Sequence, residues 1–268
     1  MPVRHEVWPA GTPNWVDLSA ADPAKAAEFY ASLFGWTNEA SGVEFGDYIM
    51  NFKDGEAVAG IGPKPVPEMP ANWSTYLASD DADATATAIQ AAGGTLQMDP
   101  FDVGEFGRMF FAVAPDGASF GIWQAKQHTG ATRYNEDGAL AWNELHSNDL
   151  DAARAFYTAV FGYEYDDLTN PEFTYFVAKR AGETAGIGGM CGNEMAPPGT
   201  PSHWLTWFAA ADCDAATARA VELGANQLMP PTDSPFGRMS IVAGLEGEMF
   251  GLIDVATTVG EMPDAAGS

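Results

Sequence analysis

Positive charge is scarce in this chain: 12 lysines and arginines stand against 37 aspartates and glutamates in 268 residues, a formal net charge of −25. A surface of that sign repels a phosphate backbone, so nucleic acid is excluded as a partner. It suits a cationic or neutral ligand. Cysteine is scarcer still: Cys191 and Cys213 are the only two, they fit no metal-ligand spacing, and one pair in a chain of this size makes no disulfide framework. They read as reduced structural thiols. No apolar run approaches the roughly 20 residues that span a bilayer, and the opening "MPVRHEVWPAGTPNW" lacks the charged-then-apolar order of a signal peptide. The expectation is a soluble, cytoplasmic protein with no membrane partner.

What the chain does have is repetition. "NWVDLSAADPAKAAEFYASLFGW" from Asn14 realigns on "AWNELHSNDLDAARAFYTAVFGY" from Ala141, matching Trp15 to Trp142, Asp17 to Glu144, Asp22 to Asp149 and Phe34-Gly35 to Phe161-Gly162. Further on, "NWSTYLASDDADATATAIQAAGG" runs beside "HWLTWFAAADCDAATARAVELGA", and "FGRM" occurs in both halves, at Phe106–Met109 and Phe236–Met239. The chain divides into a first module (13–125), a polar, turn-rich linker (126–138), a second module (139–255) and a small, polar tail (256–268) expected to be flexible.

Each module is halved again. A short alternating stretch leads to an Asp able to cap a helix, then to a helical run, then to about three strands. After Asp22, the spacing of Ala26, Phe29, Tyr30 and Leu33 predicts one apolar helix face; after Asp81, Ala84, Ala88 and Ala92 predict another.

A strand ending in Asp, then "DPAKAAEFYASLFGW" or "DLDAARAFYTAVFGY", a second half entered through a Trp- and Tyr-bearing strand, and "APDGASFGIW" near the module's end together resemble the vicinal oxygen chelate superfamily, the glyoxalase, bleomycin-resistance and extradiol-dioxygenase group. The resemblance covers nearly 13–255 and is closest to tandem actinobacterial proteins labelled glyoxalase-like or hydroxylase. It implies an α+β fold in which paired β-α-β-β-β units form a curved mixed sheet, with a ligand in the concave cup and helices outside. It implies no single activity, because the group holds lyases, isomerases, dioxygenases and binding proteins.

In the metal-dependent members, ligands stand seven residues before each capping Asp and four after the turn glycine of the last strand. Here those positions hold Trp15, Trp142, Ser74, Leu205, Gly121 and Gly251, none a usual ligand. No metal and no cofactor are expected. Small residues there would open the floor of the cup, while an indole supplies a flat wall. Alternation places Trp15, Asp17 and Ser19 on the cup face of one strand and Trp142, Glu144 and His146 on its counterpart, with Val16, Leu18 and Ala20 toward the helices. Tyr76, Trp207, Ser119 and Trp123 join the same surfaces. His5 and His128 fall in tail and linker and read as solvated.

Two features leave alternatives open. Glu144 and His146 can form a polar contact, an acid–base pair or, with His203, a displaced metal site. Arg108 and Arg238 of the repeated "FGRM" can touch a ligand at the rims of the cups, or pair internally with Asp17, Glu144 or an acidic loop residue. The favoured expectation is metal-free binding of a planar or aromatic small molecule, a secondary metabolite or antibiotic-like compound, at Trp15, Asp17, Tyr76, Arg108, Trp123, Trp142, Glu144, His146, Trp207 and Arg238, for sequestration or to assist a biosynthetic enzyme. The alternative is a lyase, isomerase or related enzyme using a noncanonical metal or Glu144 and His146 as catalytic groups. The paired modules suggest a monomer that buries in one chain what single-module relatives bury by dimerising.

Overall fold

The computed structural model describes residues 3–42, 45–171, 173–194 and 196–258; 259–268, most of the expected tail, lies outside the described residues. No helix among them is long and apolar enough to cross a membrane.

Four aspartates start the four α-helices. Asp22 opens α1 (Pro23–Phe34), Asp81 α2 (Ala82–Ala91), Asp149 α3 (Leu150–Phe161) and Asp212 α4 (Cys213–Glu222), each carboxylate accepting from the backbone N–H three residues on. Such a cap contributes about 1 kcal/mol. Gly35 and Gly162 end α1 and α3 in the left-handed conformation, φ 73° and 70°. The first helix buries Ala26, Ala27, Phe29, Tyr30 and Phe34, close to the expected face. In α2 the expected face is rotated: Ala84 is exposed, and Ala82, Ala86 and Ile89 are buried instead. Ile89 is the largest apolar side chain of that helix, and turning it inward removes more area from water than alanines can.

The first sheet contains β1 (Pro13–Ala20), β2 (Thr37–Ala40), β3 (Ile49–Lys53), β4 (Glu56–Pro63), β5 (Asn72–Ala78), β6 (Thr95–Leu96), β7 (Phe101–Val103), β8 (Gly107–Val113) and β9 (Ser119–Ala125), in the order β2-β3-β4-β1-β5-β9-β8-β6 with β7 beside β8. The second contains β10 (Leu140–Ser147), β11 (Glu164–Asp167), β12 (Tyr175–Lys179), β13 (Gly186–Gly192), β14 (His203–Ala209), β15 (Asn226–Ser234), β16 (Gly237–Ala243) and β17 (Met249–Asp254), in the matching order β11-β12-β13-β10-β14-β17-β16-β15. In each, the central antiparallel pair, β1 with β5 or β10 with β14, is flanked by parallel strands. The fold is α+β, as expected.

The two modules share their cores. Val16, Leu18, Tyr30, Phe34 and Trp73 of the first cluster with Phe208, Cys213, Val242, Phe250 and Leu252 of the second. Reciprocally, Leu77, Ile89, Phe110 and Phe120 cluster with Leu145, Phe156, Tyr157 and Trp204. Phe34 lies 5.1 Å from Phe208 and Tyr30 5.4 Å from Phe250, centroid to centroid. Polar groups lock the same seam: Tyr30 OH donates to Glu248 at 2.9 Å, Thr75 to Asn143 at 2.7 Å, Ser147 to Asp116 at 2.7 Å. Burying a Phe or Leu contributes about 1.5–3 kcal/mol, so each module's convex face requires the other.

The residues before β1 are docked as well. Trp8 is buried against Tyr134 and donates from its indole to Ala131 O at 3.1 Å.

Candidate functional site: two unequal cups

Alternation along β1 works as read from sequence. Val16 and Leu18 enter the shared core, while Trp15 joins Tyr76, Trp123, Ala57 and Ala131 in a separate cluster on the concave side. Asp17 stands in the middle of that cup. Its Oδ1 accepts from the Trp15 indole at 2.7 Å and from Tyr48 OH, and its Oδ2 accepts from Tyr76 OH at 2.9 Å. Burial raises the Asp17 carboxyl above its usual range, and the three neutral donors offset only part of that. Burial and the nearby Asp17 charge push both phenols well up, so Tyr48 and Tyr76 remain donors.

The chain itself covers the Trp15 end of this first cup. The linker crosses it with Ala131 N bonded to Asn14 O at 2.7 Å and Thr132 N to Ala57 O at 2.9 Å. His128, expected in solvent, sits edge-on to Trp15 at 4.4 Å and to Trp123 at 5.4 Å, and its carbonyl accepts from the Trp123 indole at 2.8 Å. Burial lowers its pKa to about 4, so the ring is neutral at pH 7. His5 does remain exposed, 3.7 Å from Glu56.

In the second cup Trp142, Glu144 and His146 occupy the equivalent face of β10. Glu144 Oε1 lies 2.8 Å from His146 Nε2, and Tyr175 OH donates to Oε2 at 2.9 Å while accepting from the Trp142 indole at 3.2 Å. Burial pushes Glu144 up, yet His146 and Tyr175 together hold it below the usual carboxylate range. His203 stacks on His146 at 5.0 Å, anchored by Nδ1 to Pro201 O at 2.9 Å, and burial lowers its pKa. Cys191, 45 positions from His146 in sequence, faces it across the parallel β10–β13 pair. Glu144, His146 and Cys191 each offer a ligand atom within 4.8 Å of the others. Phe236 covers Tyr175 at 5.2 Å. Trp142 is only partly buried, whereas Trp15 is 2% exposed.

Two further expectations are corrected. Gly121 and Gly251 do not open the floor for a ligand, because a Cβ on them would meet the Tyr76 ring at 2.3 Å and the Trp207 ring at 2.0 Å. The glycines make room for those rings. Arg108 and Arg238 belong to neither cup: each lies on the helix side of its strand, Arg108 bonded to Asp83 of α2 at 2.9 Å and Arg238 to Asp214 of α4 and Asp233. Neither reaches Asp17 or Glu144. Both cysteines are free thiols, as expected, and Cys191 stands beside Glu144 and His146 in the second cup. Tyr48 and Tyr175 went unread although they occupy equivalent places before β3 and in β12, each hydroxyl above a glycine, Gly60 or Gly189, whose Cβ would strike it.

The residues at the inherited metal positions do not fit the divalent ion that the fold suggests. Trp15, Ser74, Gly121 and Trp142, Leu205, Gly251 offer no imidazole or carboxylate, and aromatic rings fill the space above both glycines.

Solved structures with this architecture include the Mn(II)-bound glyoxalase from Novosphingobium aromaticivorans (TM-score 0.65, 17% identity, 92% of this chain and 82% of that one). The 2,2',3-trihydroxybiphenyl 1,2-dioxygenase from Sphingomonas wittichii strain RW1 shares it too (TM-score 0.63, 14% identity, 95% and 93%). These likenesses concern the fold. Among relatives, "Putative glyoxylase CFP32" of Mycobacterium tuberculosis is 42% identical over 96% of this chain and 99% of its own. The anthracycline biosynthesis protein DnrV of Streptomyces peucetius is 34% identical over 91% and 94%. The profile of the Glyoxalase/Bleomycin resistance protein/Dioxygenase superfamily matches residues 12–122 and again 139–252, so the chain belongs to that superfamily, as a tandem member with two modules.

Proposed function

We propose that the protein binds a planar or aromatic small molecule of the secondary-metabolite or antibiotic type, with the second cup as the principal site and without a metal at the inherited positions. The observation that carries this is the replacement of metal ligands by aromatic residues beside one buried carboxylate, Glu144, with Trp142 partly exposed at the cup and Tyr175 and Trp207 packed behind it. Rings stack on such walls, and the carboxylate together with the −25 net charge favours neutral or cationic ligands over anions. Two relatives named for anthracycline biosynthesis support the ligand class. The role that follows is sequestration, or holding a product or intermediate for a biosynthetic enzyme.

Titration of intrinsic tryptophan fluorescence with a panel of tricyclic and tetracyclic quinones, anthracyclines included, tests the reading. Saturable binding near one ligand per chain, weakened at least about tenfold in Trp142→Ala, is expected. Absence of binding across the panel would sink it.

A second reading has its own observation, the 2.8 Å contact between His146 and Glu144 in a partly buried hollow. That pair can shuttle a proton beside a carbonyl, the step a lyase or isomerase needs. Turnover of an α-ketoaldehyde–thiol adduct that disappears in Glu144→Gln would select it.

A further inference from the structure

The second cup contains donors of three kinds where the first has one. At the places of Glu144, His146 and Cys191 the first module has Asp17, Ser19 and Gly62, paired in the same register. Only the carboxylate survives there. In the second module a carboxylate oxygen, an imidazole nitrogen and a thiol sulfur lie within 4.8 Å of one another. Their surroundings hold them in place: Tyr175 OH occupies Glu144 Oε2, leaving Oε1 toward His146, and the His203 ring stacks at 13° on that of His146. The five lysines and arginines of this module are engaged elsewhere, Arg154 with Asp151, Lys179 with Asp166, Arg180 with Glu183, Arg219 with Glu222 and Arg238 with Asp214.

We propose that Glu144, His146 and Cys191 form a binding site for one divalent cation of the zinc class, present in the second cup only and displaced along β10 from the positions used by the family's metal-dependent members. The mixed oxygen, nitrogen and sulfur set decides the class. Magnesium and calcium take oxygen ligands, whereas zinc and cobalt accept carboxylate, imidazole and thiolate together. As the metal–sulfur bond forms, the Cys191 thiol proton passes to solvent; His146 binds through a neutral ring nitrogen, and no electron changes hands. Tetrahedral bonds of about 2.0–2.3 Å set neighbouring donors roughly 3.3–3.8 Å apart, so the 2.8 Å contact between Glu144 and His146 opens to admit the ion. Three protein ligands leave a coordination position for water or a ligand oxygen. This inference goes beyond the ring-binding proposal and does not depend on it.

The test uses the full-length protein, stripped with chelator and titrated with Co²⁺, whose thiolate charge-transfer absorption reports sulfur ligation. One equivalent per chain with that band, displaced by Zn²⁺, is expected. Cys191→Ser removes the band, His146→Ala weakens binding at least about tenfold, and Cys213→Ser and Asp17→Asn leave both unchanged. Near-UV circular dichroism verifies the fold of each variant, and Cys191→Ala serves if Cys191→Ser is unfolded. A wild-type protein without the band, a second equivalent of equal affinity, or a band that persists without Cys191 overturns the proposal. Trp142→Ala separates the two readings, because it impairs ring binding and leaves cobalt binding intact.

Discussion

The two cups start from the same plan, a carboxylate on the central strand between an indole and a tyrosine hydroxyl, and end with opposite electrostatics. Around Asp17 every close partner is a neutral donor, so burial dominates and the pKa rises. Around Glu144 one partner is an imidazole, and the pKa falls. The difference continues outward at the indoles: the linker covers Trp15 with His128 and Ala131, while Trp142 and His146 of the second cup remain partly exposed; at the carboxylates the order reverses, with Asp17 partly exposed and Glu144 buried. Duplicated hollows can thus diverge in which end stays open.

The largest expected effect that tests this contrast comes from the indoles. Trp15→Ala should cost about 3–5 kcal/mol of stability in urea unfolding, as a fully packed aromatic does, with ring binding at the second cup unchanged. Trp142→Ala should reverse the pattern, losing ring affinity with a smaller stability loss.

The next effect concerns the seal. His128 has its pKa lowered from 6.5 to about 4 by burial, so the folded state resists protonation. Its stability contribution is complete above pH 6.5 and is lost as pH falls toward 4, by at most about 3 kcal/mol. Relative to His128→Gln, the native protein should lose stability across that window, and hydrogen exchange at the Ala131 and Thr132 amides should quicken. Equal pH profiles would refute the seal.

Asp17 works in the other sense. A carboxyl raised above 3.8 in the folded state favours folding at low pH, and that contribution falls as pH rises through 3.8 and the higher folded value. Asp17→Asn should therefore gain relative to the native protein as pH rises above 4, by about 1 kcal/mol. The smallest effects belong to the guanidinium groups. Arg108→Ala and Arg238→Ala remove exposed, solvent-screened pairs with Asp83 and Asp214, and should leave both unfolding stability and binding at either cup nearly unchanged.

The sequence carried the duplication, the capped helices and the parity of β1 and β10, because one face of those strands enters a core and the other does not. Arg108 was misplaced because "RMFFAV" is apolar on both faces, which erases the alternation that would have set its side. Phe110 and Ala112 share its parity and point into the core, so the register alone fixes the arginine beside α2. Cys191 was beyond any local pattern, since it meets His146 through a parallel pairing that joins distant segments. His128 lay in a polar stretch whose docking depends on Trp15 and Trp123, both already spoken for by their own strands.

The reciprocal cores also set a timetable for synthesis. During synthesis β1 and α1 wait for Phe208, Phe250 and Leu252 before their shared core can close, while the residues around Leu77 meet Leu145 and its neighbours across a shorter stretch of chain. The core built around Leu77 and Leu145 can therefore assemble earlier, whereas the one around Tyr30 and Phe250 closes only after Phe250 and Leu252 have been made. During that interval the aromatic face of α1 lacks its partners from the second module.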